Sequence, residues 1–79
     1  AQMPSAVQFR VWKWENGIPT GLGVIDIRAS EEDFIREFYP AMPKPGEGRG
    51  QFLLRPLNIR GMEIGKEVTK TISESHIYL

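Results

Sequence analysis

Apolar and polar residues alternate over Val7–Trp14, with Val7, Phe9 and Val11 on one side and Gln8, Arg10, Trp12 and Trp14 on the other. A period of two carried by aromatic and β-branched residues predicts a β-strand. Glu15-Asn16-Gly17 follows, and an Asn-Gly pair accepts the positive φ angles of a tight hairpin turn. Leu22–Arg28 supplies the return strand through Val24, Ile25 and Ile27. Pro19 brings no N–H to a ladder, so the residues after the turn belong at a sheet edge or in a loop running to Gly21. Gly21 and Gly23 leave a gap opposite the tryptophans in which an indole can lie.

The period then changes. Ser30-Glu31-Glu32-Asp33 fits a capping box, and its acidic first turn complements a helix dipole. Phe34, Ile35, Phe38 and Tyr39 make one apolar stripe, with Glu32, Asp33, Arg36 and Glu37 facing away and Glu32–Arg36 forming an i,i+4 pair. Pro40 stops the helix, because the residue before a proline is pushed out of the α region. A helix of about ten residues is unstable alone, so its aromatics must dock on a sheet. Residues 40–50 carry prolines at 40, 43 and 45 and glycines at 46, 48 and 50. They read as an exposed connector, stiff and then flexible.

Gln51–Ile72 is the longest stretch that reads as one piece, a hairpin turning near Asn58–Met62. In its second half Met62, Ile64, Val68 and Ile72 share a face interrupted at Lys66, while Glu63, Glu67, Thr69 and Thr71 point away. Phe52-Leu53-Leu54 is apolar on both faces, which predicts a central strand covered on both sides. Pro56 predicts a bulge or an unpaired edge in the same strand. For a lone four-stranded sheet these two expectations conflict, and a partner subunit over Leu53 would reconcile them. Ser73–His76 either caps a second helix or continues the strand. The element order is β-β-α-β-β, a small two-layer α+β sandwich with an antiparallel sheet and one helix. Such a sandwich leaves one sheet face open, and Trp12 and Trp14 lie on it if Val7, Phe9 and Val11 meet the helix.

Length and composition sharpen this picture. Seventy-nine residues make a single domain, 1–79, that buries only about 60–65% of its unfolded surface. Disulfides, a structural metal or oligomerisation usually reinforce so thin a core. There is no cysteine and one histidine, so self-association is the remaining reinforcement and a homo-oligomer is expected. The chain opens on Ala-Gln-Met-Pro-Ser and ends on His-Ile-Tyr-Leu, which reads as a piece of a longer polypeptide. No apolar run approaches the roughly 18 residues of a membrane span, and no signal peptide pattern is present. With the absence of cysteine, this places the expectation in the cytoplasm.

Ten basic residues balance ten acidic ones, whereas proteins that grip nucleic acid through phosphates are normally basic. Residues 1–40 carry a net −2 and residues 41–79 a net +2. Gly61–Glu67 is one residue short of a phosphate-binding loop and has Glu67 in place of the magnesium-binding hydroxyl. Gly46-Glu47-Gly48-Arg49-Gly50 could cradle an anion through backbone amides, but no helix follows it. Arg49–Leu54 has a superficial likeness to the central RNA-contacting strand of the RNA-recognition motif, and the element order excludes that fold. Catalysis has little to use, since His76 is the sole imidazole and no nucleophile has an evident base. Asp26, between Ile25 and Ile27, is either a carboxyl with a raised pKa or the salt-bridge partner of Arg10 or Arg55. No catalytic, metal or cofactor residue is assigned.

The candidate surface is aromatic and basic: Arg10, Trp12, Lys13 and Trp14, joined by Arg49, Leu53, Arg55 and Arg60. Such residues form protein–protein hot spots; they also stack bases and hold phosphates. Alternatively, the indoles simply close over a small core. The sequence reading is a non-enzymatic protein-interaction or self-assembly module, associating through a sheet edge or the tryptophan face. A nucleic-acid-binding module that also uses Lys66 and Lys70 is the alternative, and an accessory domain of a larger enzyme is a third.

Overall fold

The computed structural model describes residues 5–78. Two hairpins and one helix form the expected α+β fold, in the order β1 (Gln8–Glu15), β2 (Ile18–Asp26), α1 (Glu31–Glu37), β3 (Arg49–Leu57) and β4 (Val68–Ser73). The sheet is antiparallel with spatial order β2-β1-β3-β4. The helix connects edge strand β2 to β3 and skips β1, so the two hairpins interlock through the central β1–β3 pair.

The first hairpin turns as its sequence requires: Asn16 and Gly17 hold φ angles of 52° and 78°. Strand β2 begins at Ile18, directly after that turn, and Pro19 pairs with Trp14 inside it. Proline is accommodated because β2 is an edge strand. Opposite Val11–Trp12 the register shifts by one, and the extra residue, Leu22, turns toward the core.

One sheet face meets the helix. Val11, Phe52 and Ile72 are fully buried there, with Leu54 beside them and Phe34, Phe38 and Met42 above. Phe34 contacts both Phe38 and Phe52 edge-on, each at 5.2 Å between ring centres, the arrangement favoured by ring quadrupoles. The capping box forms: Asp33 N–H donates to Ser30 Oγ and Ser30 N–H donates to Asp33 Oδ2, both at 3.1 Å. Glu32 pairs with Arg36 at 3.6 Å. The α-helix is shorter than expected. Tyr39 falls in a 3₁₀ turn, Tyr39–Ala41, and is exposed, so it leaves the apolar stripe.

The connector is exposed over residues 44–49, as expected, but anchored at Met42, Pro43 and Gly50. Met42 and Pro43 are buried, and Gly50 lies so close beneath Pro43 that a Cβ there would stand 3.2 Å from the ring. Tyr78 donates its hydroxyl to the Pro43 carbonyl at 3.1 Å, and burial raises its pKa. The glycine-rich segment does hold an anion through its amides, but an internal one. Gly46 N–H donates to Glu74 Oε2 at 2.6 Å, and Lys44 N–H donates to Glu47.

The long hairpin is interrupted. Asn58–Met62 forms the turn, with Asn58 Oδ1 accepting from Arg60 N–H and Met62 N–H. Pairing resumes only briefly, at Leu57–Glu63 and through Ile64 N–H to the Pro56 carbonyl. Proline returns no bond, and residues 65–67 bulge out before Val68 pairs with Leu54. The expected shared face of Met62, Ile64, Val68 and Ile72 is therefore broken. Met62 and Val68 are exposed, and only Ile72 reaches the core. Ser73–His76 resolves into the end of β4 and a 3₁₀ turn, Glu74–His76.

Two predictions follow from the cap. Ser30→Ala should cost about 1 kcal/mol, a fall of roughly 4–8 °C in Tm for a domain of this size, read by thermal melts. The Ser30 N–H, before any other cause, lowers the Asp33 pKa. Its stabilisation is thus complete above the ordinary aspartate value of about 3.9 and is lost as pH falls through the lowered folded value. Asp33→Asn should flatten the acid limb of the urea midpoint against pH; an unchanged limb would show that other carboxylates set it.

Candidate functional site

The opposite sheet face has no helix over it, and most of the candidate residues gather there. Register sets Arg10 against Arg55 and Trp12 against Leu53, and Val24 and Gly21 continue these rows on β2. Both tryptophans are half-buried, Arg10 is exposed and Val24 is 43% exposed. Leu53 retains only 8% of its surface, so the chain's own side chains cover it. A partner subunit over Leu53 is not required, and Leu53 offers little surface for contact.

The indole of Trp12 lies on Gly21. A Cβ built at Gly21 would meet the Trp12 Cδ1 and Nε1 atoms at 3.8 Å. Gly23 does not share this role: its Cβ position faces Phe38, on the helix side, at 3.5 Å. On the other flank of Trp12 the Arg55 guanidinium sits 5.8 Å from the ring centre, within cation–π range.

Arg55 is committed elsewhere as well. Its Nη1 donates to Glu63 Oε1 at 3.0 Å and its Nη2 to Glu67 Oε2 at 2.6 Å. Those carboxylates flank the bulge, so one planar fork, of the kind only arginine provides, closes the irregular segment and reaches the indole. The two acceptors, Glu67 first, raise the Arg55 pKa further. Asp26, for its part, pairs with neither Arg10 nor Arg55. It accepts from Arg28 N–H at 2.7 Å and is exposed, and that bond lowers its pKa.

A second group gathers at one end of the sheet. Lys13 belongs by alternation to the helix side, facing Phe52 across the ladder. It nonetheless lines, with Trp14, Pro43, Glu47 and Arg49, an open groove of about 620 Å³. Arg60 stands apart on the turn beyond Leu57, the far end of β3, which is itself about 26 Å from Arg49 at 3.3 Å per residue. Among the described residues Arg10, Lys13, Arg49 and Arg60 make no ion pair.

His76 is exposed and lies 2.9 Å from Glu31, which Lys70 also approaches at 3.8 Å. This cluster joins the C-terminal turn to the helix start. Among the described residues no group of three His, Cys, Asp or Glu side chains could hold a metal, and no helix is long and apolar enough to cross a membrane. Sequence reasoning missed Val24, Glu63 and Glu67 as members of the face. The two glutamates become visible only once the bulge is known. Comparisons with family models, curated proteins and solved structures return no match, so geometry alone carries the functional reading.

The two glycines predict opposite outcomes. Gly21 has room for a methyl group in ordinary contact with Trp12 and no positive φ, so Gly21→Ala should stabilise by about 0.4–1 kcal/mol. Gly23 holds φ +149°, and Gly23→Ala should destabilise. Urea unfolding of both variants checks the contrast.

Proposed function

We propose that this domain is a non-enzymatic protein-interaction module whose contact surface is the helix-free face of its sheet. One observation carries the reading: two half-buried indoles and the exposed Val24 lie on a sheet face that no other layer covers among the described residues. Among the described residues Arg10 and Arg49, on the same face, make no ion pair. Tryptophan and arginine in a partly desolvated centre are the residues that dominate protein interfaces.

The nucleic-acid reading draws on Arg10, Lys13, Arg49 and Trp14, whose cations are free to meet phosphates. Two observations weigh against it. Arg55, the cation nearest Trp12, is neutralised by Glu63 and Glu67, and Arg60 lies too far along the sheet to share a short strand with Trp14. The chain as a whole is neutral, which removes the long-range attraction that nucleic-acid binders use.

Stability separates an interface indole from a core indole. Trp14→Ser should cost under about 1 kcal/mol in urea unfolding, whereas truncating a core tryptophan costs roughly 3–5 kcal/mol. A loss in that upper range would overturn the interface reading for Trp14. Titration of labelled single- and double-stranded oligonucleotides at low salt should show no salt-dependent binding at tens of micromolar protein. Binding that weakens steeply with salt would favour the alternative.

A further inference from the structure

A four-stranded sheet has two edges, and in this chain they differ. On β2 the bonded pairs with β1 include Ile18 and Thr20 on either side of Pro19, so Pro19 faces outward by antiparallel alternation. Its missing N–H, the extra residue at Leu22 and the positive φ of Gly23 all spoil that edge as a template. Proline and bulges are the usual means of blunting an exposed edge.

Strand β4 has none of these devices. Val68-Thr69-Lys70-Thr71-Ile72-Ser73 contains no proline, glycine or register shift. Glu74 N–H donates to the Gly48 carbonyl at 2.8 Å, which sets the phase of the ladder. Val68, Lys70 and Ile72 turn their backbone groups toward β3, and Thr69, Thr71 and Ser73 turn theirs outward. Among the described residues no backbone bond reaches the outward groups of Thr69 or Thr71, and both residues are exposed.

We propose that β4 pairs antiparallel with β4 of a second copy of this chain, centred on Thr71, to make one eight-stranded sheet. The register is chosen by bonding and charge. Centring on Thr71 sets Thr71 against its own copy and Thr69 against Ser73 of the other, so that all three outward residues find bonded partners. Their hydroxyls then face one another, a favourable cross-strand pairing. Lys70 falls opposite Ile72 of the other copy. Centring one residue earlier would place the two Lys70 side chains directly opposite each other, where like charges repel, and would leave fewer bonded pairs. Antiparallel pairing about a twofold axis normal to the sheet puts both helices on one side and both tryptophan faces on the other. The pairing stands apart from the reading of the tryptophan face, which is equally available in a monomer.

Sedimentation velocity from micromolar to millimolar protein should show a monomer–dimer equilibrium. Thr71→Pro removes only an outward donor, which an edge strand tolerates. It should raise the dissociation constant at least about tenfold while the circular dichroism spectrum and cooperative melt are kept. Thr71→Cys and Thr69→Cys, each the sole cysteine, give a second measurement that needs no disruptive change. Thr71→Cys should oxidise to a linked dimer. Thr69→Cys should not, because its copy lies about 13 Å away at 3.3 Å per residue, beyond the roughly 7 Å that a disulfide spans. A wild-type monomer at every concentration would overturn the proposal. So would a Thr71→Pro variant that dimerises as well as wild type, or equal cross-linking at positions 69 and 71. Loss of the dimer in Thr71→Pro beside wild-type dimerisation of Trp14→Ser would uphold the edge and the face as separate surfaces.

Discussion

The edge-to-face contact of Phe34 with Phe52 and Phe38 is the constraint on which the rest of the structure depends. A helix of seven residues does not persist in water, and a bare sheet of four strands has no core. Each becomes stable only by burying its apolar side on the other. Phe34 reaches Phe52 on the central strand β3, while Phe38 reaches out over Gly23 on edge strand β2. One short helix therefore ties both hairpins together. Space is not what requires glycine at 23, since a Cβ there would stand 3.5 Å from Phe38 in ordinary contact; its φ of +149°, which L side chains rarely adopt, is. Met42, Pro43 and Gly50 extend this core past the end of the helix, which is why the proline-rich connector lies down instead of swinging free.

A core on one side leaves the other sheet face to manage its own exposure. It does so with large side chains laid flat across the strands: Trp12 over Gly21, with Leu53 beside it and the Arg55 guanidinium on its far flank. The same arginine holds Glu63 and Glu67 across the bulge that Pro56 leaves in the ladder. Arg55 is thus a structural clasp, and its charge is largely cancelled within the chain. The eight residues that read as one aromatic-basic patch in sequence separate into three groups. Trp12, Leu53 and Arg55 shield the face with Arg10 opposite Arg55, Trp14 with Lys13 and Arg49 borders the groove, and Arg60 lies apart.

Local signals were legible and long-range ones were not. The Asn16-Gly17 turn, the Ser30–Asp33 capping box and the alternation of β1 each depend on neighbours within a few residues, and each forms as read; the unbroken apolar run Phe52-Leu53-Leu54 likewise marked burial on both sides. The bulge at 65–67 was invisible because Met62, Ile64, Lys66 and Val68 keep a period of two straight through it. Only the missing N–H of Pro56, on the opposite strand, marks the place where that period fails. Burial of Met42 was hidden for a similar reason, since a loop's side chains dock according to what the fold brings near them. Leu53 is buried within the single chain, so its covering does not by itself call for a partner subunit.

The charges of the chain argue for short-range recognition. Near the centre of the open face Arg55 is paired with Glu63 and Glu67, Arg10 stands across the ladder from it, and Lys13 and Arg49 border the groove at one end. Potentials that steer a polyanion need several unpaired charges of one sign within a Debye length, about 8–10 Å at ordinary ionic strength. The open face instead offers apolar area and directional donors, which act only on contact. A partner would thus be selected by shape and by backbone hydrogen bonding. The contrast between the two edges fits that logic, for Pro19 and the bulge at Leu22 close one side of the sheet to strand addition, whereas β4 is regular and, among the described residues, no backbone bond reaches the outward groups of Thr69 and Thr71.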